Sequence, residues 1–278
     1  EYRNAELWDD ATALLLEMGR AEEAIGLASR KLATASALTA FADQLVATGD
    51  PKHIERAITL VDDRLWEQEG KTARDDEAVR QWLERQYAAH GRPEKALEHA
   101  RARFKNLPSR STYDAVKTAA QLPGQANDPW PTLRKDLLAT LRQRGDWYAL
   151  IDIHLGEKEV AEAIEALKKS EKGGRAVQTG WDYGWTASAG GHQARVAAAA
   201  EASFPEESIR IYRNLADQLI AARGRTNYQV AAEYLRRAMN VLEKHGRAAE
   251  WTSLITDVRQ NNKSLRALKE ELDSLGLV

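Results

Sequence analysis

Cysteine is absent from this 278-residue chain. That excludes disulfides, thiolate nucleophiles and every zinc site built on cysteine. It also favours a reducing compartment, so a cytoplasmic location is the expectation. No run of residues approaches the 18 consecutive apolar positions that a membrane-spanning helix needs. β-Branched runs, the raw material of strands, are almost missing. Net charge is small, at -2, which gives no overall pull toward nucleic acid or an anionic membrane. No signal-peptide pattern is visible, and the chain starts at Glu1 and not at methionine, so a piece of a longer protein is expected.

Catalytic signatures are equally scarce. There is no Gly-x-Ser-x-Gly elbow and no glycine-rich loop followed by Lys-Ser or Lys-Thr. The Gly190-Gly191 pair follows no strand pattern, so it is not a dinucleotide fingerprint. His154 and Glu157 have a spacing that can put two ligands on one helix face, but no third ligand has an argued position. His90 and His245 each precede a glycine at an expected helix end, where a cation meets unsatisfied carbonyls. The pairs Glu94 with Glu98 and Glu157 with Glu162 read as solvated faces. The expectation is therefore not an enzyme, with no cofactor and no metal.

What the chain does have is helix formers. Alanine, leucine, glutamate and arginine dominate, with 43% hydrophobic and 29% charged residues overall. Apolar residues recur at helical spacing almost throughout. Leu7, Ala11, Leu14, Leu15 and Met18 mark a first helix, and Ile54, Ala57, Ile58, Val61 and Leu65 one opened by Pro51. One short pattern recurs: a glycine, a polar stretch, then an alanine five residues on. It appears as Gly19 to Ala24, Gly91 to Ala96 and Gly156 to Ala161. A small residue at a fixed place lets two helices approach closely. A repeated helix–turn–helix built this way is how an α-solenoid is assembled.

These residues resemble the tetratricopeptide repeat. Around Gly91, the residues Leu83, Tyr87, Gly91, Ala96 and Pro108 sit at that family's spacings. Trp8, Gly19 and Ala24 are also in register, although Ala11 and Leu15 replace the usual leucine and tyrosine. The resemblance implies an all-α fold: 14 or 15 antiparallel helices in a right-handed superhelix. Residues 1–172 would form N-terminal hairpins, 173–192 a loop rich in glycine and aromatics, and 193–278 C-terminal hairpins. A second resemblance spans most of the chain. Ile211-Tyr-Arg, Ala221-Ala-Arg-Gly224, Tyr228 to Leu235, Glu250-Trp251-Thr-Ser-Leu254-Ile255 and Arg259 look like the helical region that follows the finger in bacterial SWIM zinc-finger proteins. The Trp130 to Arg134 and Trp147 to Ile151 segments share that flavour. The cysteine-bearing finger itself is missing, so nothing the finger binds is credited to these residues.

A solenoid offers a surface, and the expected function is a protein-interaction scaffold that holds a peptide or protein partner. Trp181, Tyr183 and Trp185 would anchor the partner from the aromatic loop. Arg210, Arg213, Arg236 and Arg237 would hold it by charge-assisted hydrogen bonds. They belong to a stretch, Ser208 to Arg247, with eight basic residues against three acidic ones. The alternative partner is nucleic acid, reached through that basic C-terminal half. A third reading places an enzyme site at the loop, which would need His192 beside a carboxylate in a closed pocket.

Overall fold

The computed structural model describes residues 2–67, 73–125, 128–172 and 185–277. Among them there are fifteen helices and no strand. The chain divides into two compact units, Glu1–Thr140 and Leu141–Val278.

The first unit holds α1 (Tyr2–Glu17), α2 (Ala21–Lys31), α3 (Ala35–Ala47), α4 (Pro51–Glu67), α5 (Ala73–Ala89), α6 (Pro93–Asn106), α7 (Arg110–Ala120) and most of α8 (Trp130–Arg144). From α1 to α7 each helix packs on the next, and α1 also meets α3, α2 meets α4, and α3 meets α5. Each helix turns an apolar stripe to these neighbours. Leu38 and Leu45 of α3, Val61 of α4, Leu83 of α5 and Tyr113 of α7 are fully buried. Each such leucine contributes about 2 kcal/mol of burial free energy. Buried polar groups in this core are partnered across the packing. Trp82 donates its indole N–H to Asp43 at 2.7 Å, and the Tyr87 hydroxyl donates to Asp62 at 3.1 Å. Arg103, almost fully buried, donates its Nε–H to Glu77 at 2.8 Å and a second N–H to Glu84.

The second unit holds α9 (Trp147–Gly156), α10 (Val160–Lys172), α11 (Trp185–Ala200), α12 (Pro205–Ala222), α13 (Arg225–Lys244), α14 (Ala248–Asn261) and α15 (Arg266–Ser274). Here α9 packs on α10 and α11, α10 on α11, α11 on α12 and α12 on α13, while α13 meets both α14 and α15. One apolar core joins the last four helices, with Ala216, Tyr228, Leu235, Leu242, Trp251, Ile255, Leu268 and Leu277 among its buried members. Arg259 closes its end by donating from Nε and Nη2 to the Leu277 carbonyl, at 3.1 and 2.6 Å.

The recurring glycine has a definite task. Gly19 and Gly91 take φ of +74° and +71°, the left-handed region where a side chain is strained. The following N–H then folds back: Arg20 donates to the Leu15 carbonyl and Arg92 to that of Tyr87, both at 2.8 Å. This is a Schellman stop, which satisfies carbonyls left over at the helix end. Five residues on, Ala24 and Ala96 are wholly buried.

The third copy is corrected by two residues. Gly156 is the last residue of α9, and the left-handed position is taken by Lys158, at φ +62°. The N–H of Glu159 donates to the His154 carbonyl at 2.8 Å, as Arg20 and Arg92 do in their turns. The small residue five positions after Lys158 is Ala163, which is wholly buried; Ala161 faces solvent. The geometry of the turn sets the register, and a lysine has stepped into it.

Candidate functional site

A groove of about 660 Å³ lies between α12 and α14, over the end of α13. Helical spacing builds its walls. On α12, Glu206, Ile209, Arg210, Arg213, Asn214 and Asp217 recur at three- and four-residue steps, so they share one face. On α14, Glu250, Ser253, Leu254 and Asp257 do the same. Leu242 of α13 adds to an apolar floor with Ile209 and Leu254. Arg247 closes one end. It follows Gly246, whose φ of +72° turns the chain, and it donates back to the Leu242 carbonyl at 2.8 Å.

The charges of the groove are unevenly spent. Arg247 grips Glu250 through two N–H groups at 2.6 Å each, and also Glu206 on α12. These hydrogen bonds raise the Arg247 guanidinium further above its ordinary value. Arg210 donates its Nε–H to Glu207 at 2.9 Å, and Lys168 of α10 reaches the same carboxylate at 2.7 Å. Burial opposes ionisation of Glu207, but those two cations hold its carboxyl below the ordinary range. Arg213 stands 3.9 Å from Asp217, at the outer limit of an ion pair. Over half of the Asp217 side chain still meets water. Even so, partial desolvation pushes its carboxyl up, and Arg213 does not offset it. Asp257, Asn214 and Ser253 line the groove and make no side-chain hydrogen bond or ion pair among the described residues.

The residues expected to bind a partner therefore separate. Arg210 and Arg213 line the groove. Arg236 and Arg237 lie on α13 and do not line it; Arg236 pairs with Glu233 at 2.6 Å. Tyr212 donates to Glu201 at 2.7 Å, and burial with this carboxylate pushes it up to about 12. Trp181 and Tyr183 lie outside the described residues, and Trp185 starts α11 with its side chain outside them. Sequence reasoning missed Asp217, Asp257, Asn214 and Ser253. Their signal was the shared face of two amphipathic helices, which charge counting does not detect.

The histidines find other partners than spacing implied. His154 is buried with its Nδ1 at 2.7 Å from Glu159, so Glu157 is not its partner there. Its environment is a turn contact, made where the Lys158 stop brings Glu159 back over α9. His192 does stand beside a carboxylate, with Nε2 at 3.2 Å from Asp152 and its ring 4.8 Å from that of Tyr148. Asp152 is shared with Arg195 at 2.5 Å. His245 at the end of α13 reaches the Glu201 carbonyl at 3.1 Å. Among the described residues no three histidine, aspartate or glutamate side chains converge as metal ligands. Among the described residues, too, no helix is long and apolar enough to cross a membrane. No protein-family model matches this sequence, and no curated protein matches it either.

Proposed function

We propose that this chain is a non-enzymatic interaction scaffold, a diverged solenoid of antiparallel helical hairpins similar to tetratricopeptide repeats, that holds a peptide segment of a partner protein. The observation that carries this reading is the α12/α14 groove, with its apolar floor and polar walls. A groove between two helix faces takes side chains of a peptide into its floor while the rim fixes direction. The Schellman turns at Gly19, Gly91 and Lys158, each followed by a buried alanine, support the repeat reading. In a solenoid each pair buries its stripe on the next and leaves one face for a partner. The proposed superhelix is right-handed, and the resemblance to SWIM-type proteins would make it an interaction arm of a larger bacterial protein in the cytoplasm.

Nucleic acid draws less support, because five of the eight basic residues that favoured it are engaged. Arg210, Arg213, Arg225, Arg236 and Arg247 all stand within ion-pair distance of carboxylates. Phosphate contacts would have to displace those partners.

The test is a random-peptide display selection against the full chain, repeated on Ser253→Trp. Ser253 is exposed on the groove wall, so a tryptophan there fills the groove and not the core. Peptides that bind the parent chain and lose binding to the variant are the expected result. No enriched peptide, or equal binding to both proteins, overturns the reading.

A further inference from the structure

Large apolar side chains left in water are scattered singly over most of the described residues, at Leu107, Tyr148, Phe204 and Val230. On α1 they line up. Leu7, Leu14 and Met18 are each more than half exposed. With half-buried Ala11 they fall at steps of four, three and four residues, so they share one narrow stripe of the helix. The core runs along a different side of α1. Thr12 is buried there, Trp8 and Leu15 are half-buried, and Lys31 of α2 stands over the Trp8 ring at 5.0 Å. The helices that α1 packs against, α2 and α3, leave the stripe open. Single exposed leucines need no explanation, whereas a contiguous apolar patch marks a contact surface.

The edge of the stripe away from Trp8 and Leu15 is acidic. Asp10 lies three residues after Leu7 and four before Leu14, and Glu17 lies three after Leu14, so helical geometry makes them neighbours of the stripe. Both are exposed, and neither makes a side-chain hydrogen bond or ion pair among the described residues. Arg20, just beyond the helix, is held by Glu23 at 2.6 Å. An apolar seam at steps of three and four fits the seam of a second helix, and the charges beside it select which helix. A second copy of α1 running antiparallel would set Asp10 against Glu17, and an anionic lipid surface would meet both carboxylates with like charge. We infer that the exposed face of α1 docks an amphipathic helix of another protein, its apolar stripe over Leu7, Ala11, Leu14 and Met18 and its flanking lysines or arginines on Asp10 and Glu17. This surface belongs to the first compact unit and does not rest on the groove reading.

The probe is a displayed library of helical peptides with leucine fixed along one stripe and lysine, glutamate or glutamine allowed beside it, selected on the full chain. Selected peptides are titrated on Leu14→Gln, and the selection is repeated on the double variant Asp10→Lys, Glu17→Lys. All three positions are exposed, so the fold is retained, and circular dichroism checks it. The expected pool carries lysine beside its leucines, and its affinity falls about tenfold on Leu14→Gln. On the double variant the preference reverses to glutamate. A pool with acidic or uncharged flanks, a preference that the charge reversal does not move, or no binder that depends on Leu14 overturns the inference. So does a dimer in sedimentation equilibrium, or binding to phosphatidylglycerol vesicles, that Leu14→Gln abolishes, since either gives the face another occupant. The groove reading is tested separately through Ser253→Trp and survives each of these failures.

Discussion

Replacing Lys158 with glycine makes this protein more stable. Lys158 holds φ at +62°, where a residue with a Cβ crowds the following carbonyl at a cost of about 1–2 kcal/mol. Glycine removes that strain but brings extra freedom to the unfolded chain, which returns up to about 1 kcal/mol. The net gain is about 0.5–1 kcal/mol. The Lys158 side chain is exposed and holds no hydrogen bond or ion pair among the described residues, so its loss costs nothing there. Gly156 gives the matched control. It sits inside the last turn of α9 and faces solvent, so Gly156→Ala also gains about 0.5–1 kcal/mol from helix propensity. Gly91→Ala must go the other way, losing about 1 kcal/mol through φ alone, since an added Cβ there meets nothing within 4 Å. Urea titration followed by circular dichroism reads all three as midpoint shifts at unchanged slope. A lowered midpoint for either Lys158→Gly or Gly156→Ala refutes the assignment of the turn.

Three further outcomes follow from the packing. Ala163→Leu overfills a wholly buried position and lowers stability by about 1–3 kcal/mol, while Ala161→Leu, two residues away on the solvent side, leaves it within about 0.5 kcal/mol; paired urea titrations compare them. Arg103→Met strands Glu77 and Glu84 beside a buried apolar side chain and costs about 3 kcal/mol, measured in the same way, with Arg103→Lys intermediate because it restores charge without the fork. His99 is buried against Tyr87, 5.4 Å between ring centres, and burial holds its imidazole below the ordinary histidine value. The unfolded chain binds that proton more readily, so stability is full above about pH 6.5 and falls as the pH drops below it. His99→Phe keeps the stack and flattens the slope between pH 7.5 and 5.5; an unchanged slope would remove His99 as its source.

Helices were legible because their signals are local. Pro51, Pro93 and Pro205 open α4, α6 and α12 at their first residue, where proline lacks only a hydrogen bond that no helix start makes. Gly19 and Gly91 announced their turns because glycine is the residue that takes positive φ freely. Lys158 takes the same conformation and leaves no compositional trace, so the neighbouring Gly156 attracted the register. The groove was half legible. A basic run pointed to Arg210 and Arg213, which do line it. Their first partners are local, Glu207 for Arg210 and Asp217 for Arg213, but Arg210 also meets Glu171 of α10, and Arg247 takes Glu206 from α12. The two pairings between helices are properties of packing that no count along the sequence contains.

Hydrogen–deuterium exchange of the full chain, alone and saturated with a display-selected peptide, tests the account at its centre. Slower exchange is predicted in Pro205–Ala222 and Ala248–Asn261, the two helices that wall the groove, with Pro93–Asn106 unchanged. Protection confined to other helices, or absent despite saturation, would contradict it.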